Sequence, residues 1–571
     1  MTTESVSLAL CGSGGSGVMT AANMLVDAAS AAGFYALFGR SSGPQIRGGE
    51  AAAFVRLSAL PLASVDDLTD ILIAIDWQNA ERFAAELALG PSSLIVADPA
   101  AGEIPPALAR SGAQVVNLPM RQVAKTIPDG RANMVALGAA CALIGLPVGA
   151  AVEVLGKSLK RKHADAFEAS AEGVRLGAEA AAGLARTKRL GTAHGDPAGR
   201  WAITGNQAAG LGAILGGVRF CAAYPITPAT EALEWLSGAL PKVGGVFVQA
   251  EDELASINMC IGASFGGTPS LTATSGPGLS LMIEGLGLAV ASETPLVVVD
   301  VQRAGPSTGI PTKSEQADLD IALHGLHGDA PHLVVAPQSV ADCLFTTQWA
   351  VTLAEALQTP CIVLSDQSLG QTRAVIDAPP LPDTPARRLV ADSPEDYRRY
   401  ELTDSGVSPM ALPGTAGGQY TADGLEHGPS GTPSSQAADH LAQLDKRRDK
   451  LLRHDYGETW ATVEGEGRVA VLTWGSTTGA AREAIARARR RGMAVRLVSL
   501  RLLSPLNAQG VAKALEGAET VLVVEQSHGR QFLRHLRAEM DLPGTVESLA
   551  RPGPLPIRPG EILDRLLMLG R

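Results

Sequence analysis

The chain has 571 residues, of which 46% are hydrophobic and 18% are charged, and its formal net charge is -11. This length predicts about three domains with a sizeable core, and the composition is typical of a compact globular protein rather than a disordered one. The acidic balance argues against nucleic-acid binding, which needs a basic face for the phosphates.

The sequence also argues against a membrane protein and against a metal site in this chain. No segment reaches the unbroken apolar length of a membrane span, and the N-terminal MTTESVSLALCGSGG lacks the basic start of a signal peptide, so we expect a cytoplasmic protein. The cysteines are scattered without a Cys-x-x-Cys pair, which predicts small buried hydrophobic residues rather than zinc or iron–sulfur ligands. They are Cys11, Cys141, Cys221, Cys260, Cys343 and Cys361.

Apolar runs of strand length alternate with Ala-rich helical patterns along most of the chain, which is typical of α/β layers with parallel sheets. Polar joints rich in Gly and Pro divide the chain into blocks. We predict α/β domains at 1–186, 201–372 and 465–571, a linker at 187–200, and an irregular connecting region at 373–464. A loop region as long as the last one usually covers a site or an interface.

The first block begins with a strand-like run followed by GSGGSG, in which Gly12, Gly14 and Gly17 have the G-x-G-x-x-G spacing. Backbone amides at such a helix start can hold an anion. The acid that a dinucleotide site needs after the second strand is replaced by Arg40, so dinucleotide binding, a bare turn and another phosphate ligand all stay open. Arg47 and Glu50 in the next Gly-rich loop fit a surface turn or an interface contact equally.

The central block carries the densest set of candidate groups. Thr227 lies between two prolines in YPITP, so its hydroxyl is held rigidly, although a plain turn is the alternative. The acids of EDE, which end at Glu253, follow the strand-like GVFVQ and begin a helical pattern. Their alternative role is to stabilise a helix start. Arg303 suits a carboxylate, because a guanidinium can bind both oxygens, or it forms a structural salt bridge.

The third block repeats strand, glycine turn, helix and strand, beginning at about Arg468. Glu525 and His528 follow an apolar strand, which is the end where open α/β sheets usually place ligands, although a solvated loop explains them equally well.

Four segments of the central block occur in a fixed order: YPITP, EDELASINMCIGAS, TATSGPGLSLMIEGLG and DVQRAGPSTGIPT. Together they closely resemble the alpha subunit of the 2-oxoacid:ferredoxin oxidoreductases, which use thiamine diphosphate. The first block resembles the gamma subunit of that family, fused ahead of alpha. The resemblance implies a gamma-type α/β domain, a thiamine-diphosphate pyrimidine-binding α/β domain and a transketolase C-terminal-like α/β domain.

The resemblance also implies roles for individual residues. Glu253 would hydrogen-bond the aminopyrimidine ring of thiamine diphosphate and so promote loss of the thiazolium proton, with Glu251 as the alternative if the register differs. Thr227 and Arg303 would bind the carboxylate or oxo group of the substrate. Further candidates are Ser307 and Thr308 for the substrate, Tyr224, Pro225 and Ile226 for the cofactor, and Gly12, Gly14, Gly17 and Arg40 for coenzyme A or another phosphate.

The implied reaction converts a 2-oxoacid and coenzyme A to acyl-CoA, carbon dioxide and reduced ferredoxin, and it could also run in the carboxylating direction. The sequence has no Gly-Asp-Gly segment and no cysteine cluster. The resemblance therefore implies a beta subunit that supplies magnesium and a [4Fe-4S] cluster, ferredoxin as electron acceptor, and an assembly of two alpha and two beta chains. The chain should be inactive alone.

The fused gamma and alpha blocks look most like the 2-oxoglutarate enzymes, although pyruvate and branched-chain 2-oxoacid relatives share the motifs. Two hypotheses from other classes also stay open. One is the pyrimidine-side subunit of a lipoamide-linked 2-oxoacid dehydrogenase, which does not need the gamma-like block. The other is a non-catalytic partner subunit, whose mark would be loss of the glutamate, threonine or arginine.

Overall fold

A computed structural model of the chain describes residues 2–42, 50–78, 80–159, 164–184, 188–193, 197–381, 387–392 and 395–570. The chain divides into two compact units. The first consists of Met1–Thr204, Gln371–Pro379 and Arg558–Gly560, and the second consists of Gly205–Gly370, Pro380–Ile557 and Glu561–Arg571. Within the described ranges, no helix is both long enough and apolar enough to cross a membrane.

The first unit is built on an eight-stranded mixed sheet. Its strands, in spatial order, are Gln114–Asn117, Leu94–Ala97, Ile71–Ala74, Ser5–Ser13, Glu50–Ser58, Tyr35–Ser42, Arg373–Asp377 and Arg200–Thr204. The strands on the Ile71–Ala74 side are parallel, and two of them, Ile71–Ala74 and Leu94–Ala97, are short runs of buried aliphatic residues, as expected for strands covered on both faces. The remaining neighbours pair antiparallel.

The α-helices of the first unit are Val18–Ala31, Ala84–Leu87, Pro106–Ala109, Met120–Lys125, Ala132–Ile144, Val148–Leu159 and Ala164–Ala181. The helix Ala132–Ile144 is buried along almost its whole length, and the unit's main core forms where it packs with Val18–Ala31 against the sheet. A two-stranded parallel ladder, Thr2–Thr3 with Arg189–Leu190, completes the unit. Arg47 and the Glu50 side chain lie outside the described residues.

Two strands of this sheet come from segments that lie outside the predicted first domain, residues 1–186. Arg200–Thr204 straddles the predicted start of the second domain, and Arg373–Asp377 lies in the stretch predicted to be irregular. The two pair antiparallel with each other, and Arg373–Asp377 also pairs with Tyr35–Ser42. Pairing between segments so far apart in the chain leaves no local pattern, so the prediction of an irregular start at residue 373 is wrong.

The second unit contains the other two α/β domains. Its larger sheet has the strand order Val246–Gln249, Phe220–Ala223, Ser270–Thr274, Leu296–Gln302, Pro360–Asp366, Leu333–Val335 and Leu502–Ser504. Neighbouring strands are parallel except for the last pair, in which Leu502–Ser504 runs antiparallel to Leu333–Val335. The strand Leu502–Ser504 comes from the third sequence block, so the second and third blocks share one sheet.

The smaller sheet of this unit has the order Ala461–Glu464, Val495–Leu500, Val469–Trp474, Thr520–Glu525 and Thr545–Ala550, with only the first pair antiparallel. The α-helices of the unit lie on the two sheets: Gly205–Gly216, Thr230–Ala239, Glu253–Phe265, Gly276–Ala291, Leu319–His324, Val340–Leu357, Ala437–Leu452, Thr477–Arg490, Ala508–Ala514 and Gln531–Glu539. Two further helices, Gln367–Gln371 and Pro559–Leu569, contain points where the chain passes between the units.

After the strand Arg373–Asp377, the next helix or strand that the described chain forms in the predicted irregular region is the helix Ala437–Leu452. Before this helix the described chain has isolated β-bridges, including one between Val390 and Met410. It is nevertheless well packed, because Arg399, Tyr400 and Met410 are fully buried. The region is therefore an ordered covering layer rather than a solvated loop.

A buried cluster of charges joins this layer to the helix Gly276–Ala291. Glu293, just beyond the helix, is fully buried and pairs with Lys446 at 2.5 Å and with Lys450 at 3.0 Å. Arg399 donates a hydrogen bond to the Glu293 carbonyl at 2.9 Å. Burial alone would raise the pKa of Glu293, but the charges of Lys450 and Lys446 hold it well below its usual value. Burial lowers the pKa of Lys450 to about 8.

Replacing Glu293 by Gln leaves two buried ammonium groups without a negative counter-charge, so we expect the free energy of unfolding to fall by about 3 to 5 kcal/mol. Because the folded-state pKa of Glu293 is lowered, its stabilising effect is present at neutral pH and is lost as the pH falls below about 4.3, the ordinary pKa of a glutamate. Urea unfolding of both proteins at neutral and acid pH measures the two effects.

The matched control is Asp449→Asn, which breaks an exposed ion pair with Arg453 on the helix Ala437–Leu452. We expect no measurable change in its urea midpoint, because exposed pairs contribute little. Equal losses in Glu293→Gln and Asp449→Asn would contradict the anchoring role of the buried cluster.

Candidate active site

Four neighbouring strands of the larger sheet are parallel and therefore end at the same edge: Val246–Gln249, Phe220–Ala223, Ser270–Thr274 and Leu296–Gln302. Open α/β sheets bind ligands beyond the carboxyl ends of their strands. The segments that follow these four strands contain Thr227, Glu253 and Arg303. The structure thus brings the principal predicted site residues of the central block to one edge.

The three acids of EDE have three different environments. Glu251 is exposed. Asp252 caps the helix Glu253–Phe265, since its Oδ1 accepts a hydrogen bond from the Ala255 amide at 2.7 Å. Glu253 is only 6% exposed. The helix-start role predicted as the alternative for these acids is filled by Asp252, and a buried glutamate such as Glu253 needs another explanation because burying a carboxylate is costly.

The start of the helix Gly276–Ala291 is the surface against which Glu253 packs. A Cβ atom on Gly278 would lie 2.7 Å from Oε1 of Glu253, and a Cβ atom on Gly276 would lie 2.5 Å from Oδ1 of Asp318. Real Cβ atoms do not approach that closely. The two glycines of the TSGPG motif therefore let the carboxyl groups of Glu253 and Asp318 lie against the backbone at the start of this helix.

Arg303 and Thr227 are in direct contact. Nη1 of Arg303 donates a hydrogen bond to the Thr227 carbonyl oxygen at 2.7 Å, while Nε donates to no acceptor in the described chain. Arg303 is 6% exposed and makes no direct ion pair with a described residue, whereas Thr227 is exposed. Burial lowers the pKa of Arg303, and the nearby Asp318 opposes that shift. A buried guanidinium with donors to spare is suited to bind an anion.

The other candidates of this block line the same edge. Tyr224 and Pro225 are exposed, and Ile226 is partly buried. Ser307 and Thr308 are exposed on the loop that follows Arg303, whose ends are joined by a bridge between Ala304 and Ile310. Their assignment to cofactor or substrate stays a prediction.

Sequence reasoning missed two acids, Asp300 and Asp318. Asp300 is fully buried on the strand Leu296–Gln302, and its carboxyl oxygens receive no hydrogen bond from any donor in the described residues. Burial and the neighbouring Asp318 raise the pKa of Asp300 well above its usual value, and burial raises the pKa of Asp318 to about 7. The available signal was the single acid inside the apolar run LVVVDVQ.

The candidates of the third block have a structural use. Glu525 is 1% exposed and accepts hydrogen bonds from the amides of Phe532 at 2.9 Å and Leu533 at 3.1 Å. It therefore holds the start of the helix Gln531–Glu539. Burial raises its pKa. His528 is exposed in the intervening loop. The solvated-loop alternative describes His528, and Glu525 serves the fold.

The glycine motif of the first unit forms a turn between the strand Ser5–Ser13 and the helix Val18–Ala31. Gly12 lies one residue before the end of the strand, Gly14 lies in the turn, and Gly17 precedes the helix with φ of 86°. A side chain at Gly17 would meet Nδ2 of Asn133, which is 2.2 Å from the position of a Cβ atom. The positive φ and this close contact both require glycine.

Arg40 lies at the same end of this sheet as the glycine turn. It is exposed on the strand Tyr35–Ser42, where it pairs with Ala53, which in turn pairs with Leu10. The strands before and after the helix Val18–Ala31 are Ser5–Ser13 and Tyr35–Ser42. They are not neighbours, because the strand Glu50–Ser58 lies between them and is antiparallel to both, so they do not form the parallel βαβ unit of dinucleotide-binding folds. A turn with an anion-binding role stays a prediction.

Comparison with sequence families agrees with the three predicted domains. Residues 7–180 match the family described as pyruvate ferredoxin/flavodoxin oxidoreductase. Residues 211–446 match the family described as pyruvate flavodoxin/ferredoxin oxidoreductase, thiamine diP-bdg. Residues 458–552 match the transketolase C-terminal domain. The protein therefore has three α/β domains, of the gamma, pyrimidine-binding and transketolase C-terminal types.

Two relatives and one solved structure extend this result. The 2-oxoglutarate synthase subunit KorA of Methanothermobacter thermautotrophicus is 36% identical over 65% of this chain and 98% of its own. The 2-oxoacid:ferredoxin oxidoreductase subunit alpha of Sulfolobus sp is 29% identical over 90% of this chain and 89% of its own.

The solved structure is the 2-oxoglutarate:ferredoxin oxidoreductase from Magnetococcus marinus with 2-oxoglutarate, coenzyme A and succinyl-CoA bound. It matches with a TM-score of 0.93 and 37% identity over 100% of both chains. Since the solved structure matches over the whole of both chains, and since the KorA relative matches over 98% of its own length, this chain belongs to the 2-oxoacid:ferredoxin oxidoreductase family.

Proposed function

We propose that this chain is the alpha subunit, with a fused gamma domain, of a thiamine-diphosphate-dependent 2-oxoglutarate:ferredoxin oxidoreductase. The observation that carries the proposal is the arrangement at the sheet edge, where the buried Glu253 packs against Gly278 and the buried Arg303 donates a hydrogen bond to Thr227 of the YPITP segment. The names of the relatives favour 2-oxoglutarate over pyruvate and branched-chain 2-oxoacids. The reaction would form succinyl-CoA, carbon dioxide and reduced ferredoxin.

The residues at this edge fit the pyrimidine half of thiamine diphosphate. Glu253 offers a buried carboxylate to a ring nitrogen, and the absence of a side chain at Gly278 lets that carboxylate lie against the start of the helix Gly276–Ala291. When bound, thiamine diphosphate supplies the nucleophilic carbon that attacks the oxo group of the substrate. The task of Glu253 is to hold and exchange a proton at the aminopyrimidine ring in a site that excludes water. Tyr224, Pro225 and Ile226 would border the ring.

Arg303 and Thr227 would receive the 2-oxoacid. Arg303 is already held by the Thr227 carbonyl through Nη1, so its remaining donors are oriented before substrate arrives. A guanidinium binds a carboxylate through two parallel hydrogen bonds, which fixes the plane of the acid as well as its position. The exposed Thr227 hydroxyl and the Ser307–Thr308 loop would complete the pocket on its open side.

A partner subunit is part of this proposal. Relatives are named as single subunits, and the fused chain has an exposed apolar surface beside Glu253. Leu254 is 50% exposed, Met259 is 42% exposed and Leu281 is 48% exposed. They lie on the adjacent helices Glu253–Phe265 and Gly276–Ala291. Exposed apolar groups of this kind are typical of protein interfaces. We assign to a beta subunit the magnesium site, the [4Fe-4S] cluster and the contact with ferredoxin, in an assembly of two alpha and two beta chains.

Coenzyme A is the remaining ligand, and its site is assigned to the first unit. The turn with Gly12, Gly14 and Gly17 offers backbone amides, and Arg40 lies exposed at the same end of that sheet. Backbone amides at a helix start and an arginine are both suited to phosphate groups.

Replacing Glu253 by Gln removes the proton acceptor while keeping the size of the side chain. We expect dye reduction with 2-oxoglutarate and coenzyme A to fall at least about 100-fold, the usual contribution of a positioned acid or base. The assay uses a viologen dye and the chain co-purified with its beta subunit. Glu251→Gln is the matched control and should keep the rate. The reverse result, with loss of rate only in Glu251→Gln, would move the role to Glu251.

Replacing Arg303 by Lys keeps the charge and removes the paired hydrogen bonds. We expect the KM for 2-oxoglutarate to rise about tenfold or more, because a hydrogen bond to a charged group is worth about 1.5 to 3 kcal/mol. Steady-state kinetics with the same dye measure it. Arg219→Lys is the control, since within the described residues the Arg219 side chain donates only to the backbone carbonyls of Ile214 and Val218. Equal KM values in wild type and Arg303→Lys would refute the substrate contact.

Replacing Leu254 by Asp places a charge in the proposed beta interface. We expect the affinity for the beta subunit to fall about 30-fold, the effect of losing one central apolar contact. Co-purification and analytical ultracentrifugation of the two subunits measure it. Leu441→Asp, at a leucine that is 61% exposed on the helix Ala437–Leu452, is the control and should bind normally. Normal binding by Leu254→Asp would show that the interface lies elsewhere.

A further inference from the structure

The residues proposed to bind the 2-oxoacid, Arg303, Ser307 and Thr308, lie on one connection, residues 303–318, which we call the Arg303 loop. Every residue of this loop is described, and none belongs to a helix or strand. Residues 305–311 are exposed. Because exposed residues make few packing contacts, the position of the loop depends on how its base is held.

The two ends of the Arg303 loop are joined by Gln302, the residue that precedes it. Gln302 is fully buried. Its Nε2 donates a hydrogen bond to the carbonyl oxygen of Ser365 on the neighbouring parallel strand at 2.9 Å, and its Oε1 accepts one from the Asp318 amide at 3.1 Å. The ends of the loop are therefore attached to the larger sheet.

The second half of the loop is held by the transketolase C-terminal domain, residues 458–552. The Gln316 amide donates to the carbonyl oxygen of Gln526 at 2.8 Å, and the Gln526 amide donates to Oε1 of Gln316 at 2.7 Å. Nε2 of Gln316 donates to the Trp474 carbonyl oxygen at 2.9 Å. A Cβ atom on the next residue, Gly475, would lie 2.6 Å from this Nε2, so the two segments meet without room for a side chain.

The side chain of Gln526 reaches further back along the loop. Its Nε2 donates to the carbonyl oxygens of Ser314 at 3.1 Å and Leu555 at 3.3 Å. The buried Ser314 is also held from the larger sheet, because its Oγ accepts a hydrogen bond from the Ser368 amide at 3.0 Å. Ser314 is therefore fixed from two sides, and Gln526 supplies one of them.

A second glutamine of the same domain holds the end of the loop. Nε2 of Gln531 donates to the Ala317 carbonyl oxygen at 2.9 Å, and its Oε1 accepts a hydrogen bond from the Asp320 amide at 3.0 Å. Gln526 directly follows the strand Thr520–Glu525. The carboxyl edge of the smaller sheet, where open α/β sheets usually bind ligands, is used here to hold the Arg303 loop.

We propose that Gln526 is a positioning residue for the 2-oxoacid and acts through the Arg303 loop. The proposal rests on the proposed function of Arg303 as the carboxylate contact. A loop that is already held in place does not have to be ordered when the acid binds, and this raises the affinity. The transketolase C-terminal domain, which has no chemical step in the proposed reaction, thereby sets the affinity for the 2-oxoacid.

Replacing Gln526 by Met keeps the size of the side chain and removes its donors. We expect the KM for 2-oxoglutarate to rise about fivefold or more, the lower end of typical coupling between two sites. The KM for coenzyme A should stay the same, and kcat should change less than the KM for 2-oxoglutarate. Dye reduction by the complex of the full chain and its beta subunit measures all three. A loss of folded protein would instead lower kcat and leave both KM values unchanged.

Amide hydrogen exchange of the same complex, followed by mass spectrometry, measures the position of the loop without using activity. We expect residues 303–318 to exchange about fivefold faster or more in Gln526→Met, the effect of losing one typical hydrogen bond.

The matched control is Gln338→Met. Gln338 is also buried, and it bonds the same domain: its Nε2 donates to the Ser499 carbonyl oxygen at 2.7 Å, and its Oε1 accepts from Oγ1 of Thr462 at 2.6 Å. Within the described residues none of its hydrogen bonds reaches the Arg303 loop. This variant should lose stability in urea as Gln526→Met does, yet keep the wild-type KM values and loop exchange.

Three results would overturn the proposal while turnover by the wild type still supports the proposed function. They are an unchanged KM for 2-oxoglutarate in Gln526→Met, the same rise in KM in Gln338→Met, and faster exchange of the loop without any rise in KM. A complex that holds its cofactors but reduces no dye with any 2-oxoacid overturns the proposed function and the role of Gln526 together.

Should Gln526→Met fail to fold, Gln531→Ala decides the question. Gln531 is only partly buried, so the fold tolerates its loss more easily. The KM for 2-oxoglutarate and the exchange of residues 303–318 should both rise in this variant, because Ala317 and Asp320 lose their partner. Wild-type values of both would contradict the proposal.

Discussion

The close approach of two carboxyl groups to the first turn of the helix Gly276–Ala291 is the constraint on which the site depends. Glu253 and Asp318 come from different segments, and each lies within contact distance of a position that only glycine can occupy. The backbone there is a surface against which both carboxyl groups pack. A helix start is favourable for such a surface, because its amide groups give a positive end to the helix dipole.

The electrostatics of the site follow from that geometry. Glu253, Asp300 and Asp318 bring three carboxyl groups to one sheet edge, and Arg303 is the buried cation beside them. Full ionisation would leave more negative than positive charge away from water, which burial opposes. The raised pKa values of Asp300 and Asp318 reduce the buried negative charge, because these groups hold a proton more readily. The Glu293 cluster differs, because there two lysines and an arginine surround a single ionised carboxylate.

Much of the fold was predictable because buried strands and helical periodicity are local signals. The three α/β domains and their order were visible in the sequence. The pairing of Arg373–Asp377 with Arg200–Thr204, and the passage of Leu502–Ser504 into the larger sheet, were not. Strand pairing depends on segments that meet only in the folded chain, and the many prolines and glycines after residue 380 concealed a layer held by Arg399, Lys446 and Lys450.

For the site, the sequence by itself determined the family, the four motifs and the residue types able to do the chemistry, because these are encoded in short stretches. Only the tertiary structure decided the environment of each of the three consecutive acids: Glu251 is exposed to solvent, Asp252 caps a helix and Glu253 is buried. It also revealed the burial of Asp300 and the structural use of Glu525. A side chain's burial, hydrogen-bond partners and proton affinity depend on the residues around it. Many of those residues are distant in the sequence and come together only when the chain folds.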